Sequence, residues 1–467
     1  MKICLFSKYS VTGLGYVLFL VFTLCSSNCK PAISLPIVYP GDSTIHFPPG
    51  SIILSQYTFD GFPESTGVLS AWHMEHDGLR KIWSINTPCY RELLSEDIDG
   101  DGKQEIIALG NSLIAEKRRE YGIFQQRKYF LDIYKENDRA EPNRRSPWLS
   151  TFQDSDNRIV DEEDGEAKGL LHGDFDGDGT KEIVFATSHH IVIFRYLQNK
   201  QTPNGRLVKI AALRPALPKE RLRINAISIL KEREENRIVV SVNVEVIENH
   251  VERGMHYAAI NKLSRGYVLV YQFSKENKKW DMSILIPVEI DFLGTLKSAN
   301  IDTTDDPEIC IVGNKKKEDA DNHFLYVLNK NISDWKSSRY PIGPFSFEPI
   351  SIGLGQLDSI TNNNEIVTLK PGIMQMDVFE WTKENGLMNR ISKNLSNERT
   401  FSSSCKLAIA DIDQDGINEI ILAGFGRSGL EDGDLFLGIY DQNLKIKGRI
   451  FAGGQTEKRA RAIAIIK

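Results

Sequence analysis

Three segments of this chain repeat one another closely enough to fix its architecture: DIDGDGKQEIIAL from Asp97, DFDGDGTKEIVFA from Asp174 and DIDQDGINEIILA from Asp411. Each is an aspartate-glycine loop that runs directly into a β-rich strand. Two worn copies keep the outline, NIDTTDDPEICIVG from Asn300 and QLDSITNNNEIVTL from Gln356. A sixth, ISILKEREENRIVVSV from Ile227, has lost the aspartates of its loop and survives as strand. The residue before the first Ile of each strand is Glu105, Glu182, Arg237, Glu308, Glu365 and Glu419, with steps of 77, 55, 71, 57 and 54 residues. A unit of about 55 residues, twice lengthened by insertion, accounts for this spacing, and periods of that size belong to stacked supersecondary units rather than independent domains.

Within a unit, alternation marks the strands. A short apolar strand follows the loop (EIIALG, EIVFAT, EIVTLK), then a second such as YFLDIY at 129–134, HIVIFRY at 190–196 or LFLGIYD at 435–441. A third carries Trp280 or Trp335 in two units, and a further short strand such as KLAIA at 406–410 precedes the next loop. Four short strands per unit and no amphipathic helix make an all-β chain. The ends complement each other. RAIAII at 461–466 reads as the strand before a loop, and SIILSQY at 51–57, VLSAWHM at 68–74 and LRKIWSI at 79–85 supply the rest of that unit. Six internal units and one assembled from both ends make seven. Closing them into a ring protects the sheet edges that an open array exposes. The expectation is a seven-bladed β-propeller of four-stranded blades, closed by pairing of the C-terminal strand with the N-terminal blade. A linear solenoid does not explain the complementary ends.

Residues 1–29 read as a signal peptide: Lys2 and Lys8 precede an apolar run, GLGYVLFLVFTLC, followed by Ser26 and Ser27. An uncleaved anchor, or lipidation at Cys25 or Cys29, is the alternative. With the signal removed, the mature chain is expected to be secreted or extracytoplasmic (cell surface or periplasm) with no membrane span, a lipid-anchored form being the alternative. A Pro-rich linker covers 30–50 and the propeller 51–467, with an insertion at about 114–168. Beyond the signal only Cys89, Cys310 and Cys405 remain, too few for a disulfide scaffold. Cys310, inside EICIVG, reads as a buried small hydrophobe. A net charge of −6 argues against a nucleic-acid partner.

The complete loops place carboxylates at positions 1, 3, 5 and 9: Asp97, Asp99, Asp101 and Glu105; Asp174, Asp176, Asp178 and Glu182; Asp411, Asp413, Asp415 and Glu419. Four carboxylates in one turn repel each other unless a hard cation sits among them, and calcium, with six to eight oxygen ligands, fits the pattern. The carbonyls of Lys103, Thr180 and Ile417 at position 7 are expected to complete the shell, and glycine at position 6 to permit the turn. An EF-hand is excluded, because position 12 is Ala108, Phe185 or Leu422 rather than Glu. About three calcium sites are expected, with Asp302, Asp306 and Glu308 an incomplete fourth. The Gln356 loop has an extra residue and is not expected to bind metal.

The loop-plus-strand unit resembles the FG-GAP, or VCBS, repeat of integrin alpha-chain propellers and many exported bacterial proteins, over about residues 50–467. That resemblance implies a seven-bladed propeller with calcium on one face. The Phe-Gly and Gly-Ala-Pro signatures that name the repeat are mostly absent. The sequence contains no phosphate loop, HExxH or GxSxG, and His189 and His190 point to opposite faces of a strand. No catalytic residue is assigned. The expected role is a calcium-stabilised, adhesion-like module binding a protein or surface glycan. The alternatives are a propeller enzyme acting on polysaccharides from its central channel, and a structural subunit of an envelope assembly.

Overall fold

A computed structural model describes residues 48–57, 66–75, 78–119, 122–136, 167–199, 202–218, 220–233, 235–252, 255–290, 292–302, 304–317, 320–331, 334–344, 350–358, 363–370, 375–395, 405–427, 432–452 and 460–467. The export segment and most of the linker lie outside them. So does the 137–166 part of the expected insertion, whose earlier part is a hairpin of strands Glu105–Arg119 and Gly122–Tyr134.

The described residues form seven antiparallel sheets in a ring, a seven-bladed β-propeller. From the centre outward, blade 1 is Ala460–Ile465, Ile52–Tyr57, Thr66–Glu75 and Gly78–Pro88. Blade 2 begins with Tyr90–Glu96 and continues through the hairpin just described, giving three strands among the described residues. Blade 3 is Gly169–Gly173, Glu182–Ala186, Ile191–Asn199 and Thr202–Leu213. Blade 4 is Glu220–Glu232, Glu235–Glu252, Met255–Ser274 and Lys279–Val288, with Ala216–Leu217 added against its first strand. Blade 5 is Phe292–Ala299, Glu308–Lys317, Ala320–Asn331 and Asp334–Pro344. Blade 6 is Ser351–Gly355, Glu365–Lys370, Gln375–Thr382 and Gly386–Asn394. Blade 7 is Lys406–Ala410, Glu419–Arg427, Asp432–Tyr440 and Ile446–Ala452.

The packing explains why the second strands read as unbroken apolar runs. Each blade is sandwiched between two neighbours, so both faces of its second strand are covered; every residue of EIVFA at 182–186 is buried. Seven apolar clusters result, one per pair of adjacent blades. Ile107, Leu131, Ile183 and Phe185 join blades 2 and 3, while Cys310, Val312, Ile352 and Ile366 join blades 5 and 6. The seventh, with Ile52, Leu54, Ile421 and Leu437, joins blade 7 to blade 1 and completes the circle.

Closure occurs where residues 50–56 meet residues 460–466. Ile52 pairs with Ile465, Ile53 with Ala464 and Leu54 with Ile463 in one antiparallel ladder. The Gly50 N–H donates to the Ile466 carbonyl at 2.8 Å, and the Ile466 N–H to the Ser51 carbonyl at 2.9 Å. Ring closure from both ends is therefore as expected. No helix among the described residues is long and apolar enough to cross a membrane.

Candidate metal centres at the blade loops

Each aspartate loop links the innermost strand of a blade to its second strand, so the loops stand at equivalent corners. Their backbone is shaped by their own side chains. Position 1 accepts two amides: the Asp97 oxygens take Gly100 N–H at 2.7 Å and Gly102 N–H at 3.0 Å, and Asp174 does the same with Gly177 and Gly179. Asp411 takes Asp415 and Gly416. Position 5 accepts the N–H of position 7 through Oδ1, at 2.8, 2.8 and 2.9 Å for Lys103, Thr180 and Ile417. Position 6 is left-handed in all three, with φ of 84°, 86° and 86° at Gly102, Gly179 and Gly416, which is why glycine stands there.

Position 9 has a structural duty of its own. Oε2 of Glu105, Glu182, Glu308, Glu365 and Glu419 accepts the N–H of Ile98, Phe175, Ile301, Leu357 and Ile412 at 3.0, 2.9, 2.8, 2.8 and 3.0 Å. The bond is present in worn and complete loops alike, and it explains why this Glu persists where the aspartates do not. Burial pushes the Glu105 and Glu308 carboxyls up to about 7, against the amide bond that favours their ionised form. Burial also raises those of Glu182, Glu365 and Glu419.

Among the described residues, three carboxylate groups converge with ligand atoms within 4.8 Å of one another: Asp97, Asp99 and Asp101; Asp174, Asp176 and Glu182; Asp411, Asp413 and Glu419. An all-oxygen, carboxylate donor set suits a hard cation, and these three clusters could hold metal ions. Glu105, Asp178 and Asp415 stand in the same loops but outside those tightest groups. Asp302, Asp306 and Glu308 are not among the converged sets; Asp302 instead accepts the Thr304 N–H at 2.6 Å.

Sequence reasoning missed the basic side chains at these corners. Arg195 stands across the ladder from Glu182, and Lys135 follows Tyr134, the partner of Ile106, so both approach position 9 from the third strand. Lys135 bonds to Asp99 and lies 5.6 Å from the Tyr196 ring centre. Lys447 and Arg390 reach the same place from the outermost strand, each where the ladder slips by one residue. In blade 4 the signs are exchanged: Arg237 replaces the Glu and pairs with Glu232 at 3.0 Å, which Lys330 of blade 5 also meets at 3.1 Å. The residue before position 9 was missed as well. The amide of Asn236, Asn364 or Asn418 donates to the carbonyl of Asp174, Asn300 or Gln356, the first loop residue of the preceding blade, at 2.9, 2.7 and 2.6 Å. Gln104 plays the counterpart in blade 2, accepting the Lys467 N–H at 2.8 Å.

The channel carries a second charged group. Lys406 of blade 7 meets Glu92 of blade 2 at 3.6 Å, across the position of blade 1, so both side chains reach toward the axis. Lys297 of blade 5 is exposed to solvent but walled by protein; desolvation pulls its ammonium below the usual lysine range, opposed by Glu92 and aided by Lys406. His189 is buried with Nδ1 3.0 Å from the Leu222 carbonyl, a packing role.

No protein-family model and no curated protein sequence matches the chain. Solved structures with a similar course include a Lactobacillus plantarum protein, at 10% identity and a TM-score of 0.48, covering 89% of this chain and 99% of that one. An ulvan lyase of polysaccharide lyase family PL25 aligns at 11% identity and 0.42, covering 89% and 93%. The NanB sialidase of Streptococcus pneumoniae aligns at 10% and 0.37, covering 87% and 88%. The propeller assignment rests on the strand pairing and the seven interfaces described above.

Proposed function

We propose that the chain is an exported FG-GAP/VCBS-type propeller, braced by calcium at its acidic loops, that binds a protein or surface glycan in the manner of an adhesion module. The observation that carries this reading is the recurrence of three carboxylate clusters at equivalent corners of blades 2, 3 and 7. A rigid ring leaves its connecting loops to carry recognition. Residues 1–29 act as the export signal in this reading, and calcium is the cation that the flexible all-oxygen loops suit.

The test is saturable binding of the purified full chain to a glycan array and to immobilised surface proteins, with calcium and with chelator. Calcium-dependent binding to one class supports the proposal; no binding by a folded, calcium-loaded chain overturns it. A second reading has one observation in its favour. The Glu92, Lys297 and Lys406 group in the channel suits an enzyme acting on an acidic polysaccharide, and product release from uronate-containing polymers would decide for it.

A further inference from the structure

All three complete loops already contain a positive charge supplied by the protein, and in two of them it meets three carboxylates at once. The loop geometry leaves one oxygen free on each of three carboxylates. Asp176 and Asp178 spend Oδ1 on the amides of Asp178 and Thr180, and Glu182 spends Oε2 on Phe175. What remains is Asp176 Oδ2, Asp178 Oδ2 and Glu182 Oε1, and Arg195 takes all three, at 2.7, 3.0 and 2.6 Å. Blade 7 repeats the arrangement with a different residue from a different strand. Lys447 Nζ lies 2.6 Å from Asp413 Oδ2, 2.7 Å from Glu419 Oε1 and 3.6 Å from Asp415 Oδ2. Blade 6 supplies an independent instance. Its loop has lost the metal-binding pattern, yet Arg390 still reaches Asp358 Oδ2 at 3.3 Å and Glu365 Oε1 at 3.4 Å. A basic side chain at this corner therefore does not depend on a metal site being there. Blade 2 differs: Lys135 bonds to Asp99, and neither Asp101 Oδ2 nor Glu105 Oε1 takes an ion pair among the described residues.

We propose that Arg195 and Lys447 are built-in counter-cations that occupy the place of the divalent ion in blades 3 and 7, so that blade 2 is the loop that responds to calcium. This rests on the reading that these loops have calcium affinity, and it narrows the calcium brace of that reading to blade 2. A calcium ion entering blade 3 must first break three charge-assisted bonds of a partly buried guanidinium, each stronger than a neutral hydrogen bond. It must also leave that guanidinium beside a dication. Blade 2 imposes a smaller demand, since Lys135 meets one carboxylate of its loop rather than three.

The test is calorimetric titration of the full-length chain with calcium alone, together with melts in calcium and in chelator. The wild-type chain is expected to show one tight site, lost in Asp101→Asn. Arg195→Gln and Lys447→Gln are each expected to add a site that is at least about tenfold tighter than any corresponding wild-type site. Each is also expected to melt lower than wild type in chelator and to recover in calcium, while Arg195→Lys titrates as wild type does. Three equal tight sites in the wild-type chain, or unchanged titrations in both Gln variants, overturn the proposal. Should Arg195→Gln not accumulate even with calcium, Lys447→Gln decides by the same readout. A wild-type chain that binds no glycan or protein leaves these titrations unaffected, so the two proposals fail separately.

Discussion

Glu105, Glu182, Glu308, Glu365 and Glu419 are each no more than 2% exposed, and each holds one loop amide in place. Their carboxyls therefore connect loop shape to pH. A buried acid whose value is raised binds its proton more readily in the folded chain than in the unfolded one. Stability is then highest below the ordinary glutamate value and falls as pH rises toward the folded value. For Glu105 and Glu308 that window runs from 4.5 to about 7. Without divalent ions, the melting temperature is expected to fall as pH is raised through it, by at most roughly 3 kcal/mol of stability per group. Calcium is expected to flatten the Glu105 part, because a cation favours the ionised carboxylate. Glu308→Gln is expected to remove the other part, and an unchanged pH profile in that variant would contradict the assignment.

At the scale of the strand, what could be read from sequence followed from local rules. The loop pattern, the glycine at position 6 and the apolar second strand are set by backbone conformation and two-sided burial, and both leave marks within a dozen residues. Arg195 and Lys135 left none, because the loop carboxylates they meet are set by hairpin length: Glu182 to Arg195 is a short return, whereas Lys135 comes back to the Asp99 loop only after the long hairpin of blade 2. Lys447 and Arg390 depend on a one-residue slip in the ladder, which no periodicity announces. The worn blades are a related case. Their loops lost aspartates, but the Glu persisted because its bond to the loop amide does not need the metal pattern. The amides that tie one blade's loop to the next offer a direct check. Asn418→Ala removes the donor to the Gln356 carbonyl and is expected to cost about 1 kcal/mol in denaturant unfolding, with Asn364→Ala similar. A cost indistinguishable from that of an exposed Asn→Ala on an outer strand would show that these contacts do not brace the ring.

For the molecule as a whole, seven interfaces of like kind share the stability, and the ring is only as closed as its last contact. Removing residues 460–467 bares the edge of Ile52–Tyr57 and opens the apolar clusters that Ala460, Ala462, Ala464 and Ile466 complete. An unpaired central edge is a template for association between chains. The truncated chain is expected to melt earlier and more broadly and to run as oligomers on size exclusion. A monomer with the wild-type melt would mean that closure is dispensable.

The pairing of Ile52 with Ile465 also has a consequence in time. Strand Ile52–Tyr57 waits for its distant partner Ala460–Ile465, so the ring cannot be sealed until the chain between them has been made. A product interrupted before Ala460 carries an unfilled slot in its opening sheet, and that slot stays exposed to wrong partners until the missing strand arrives.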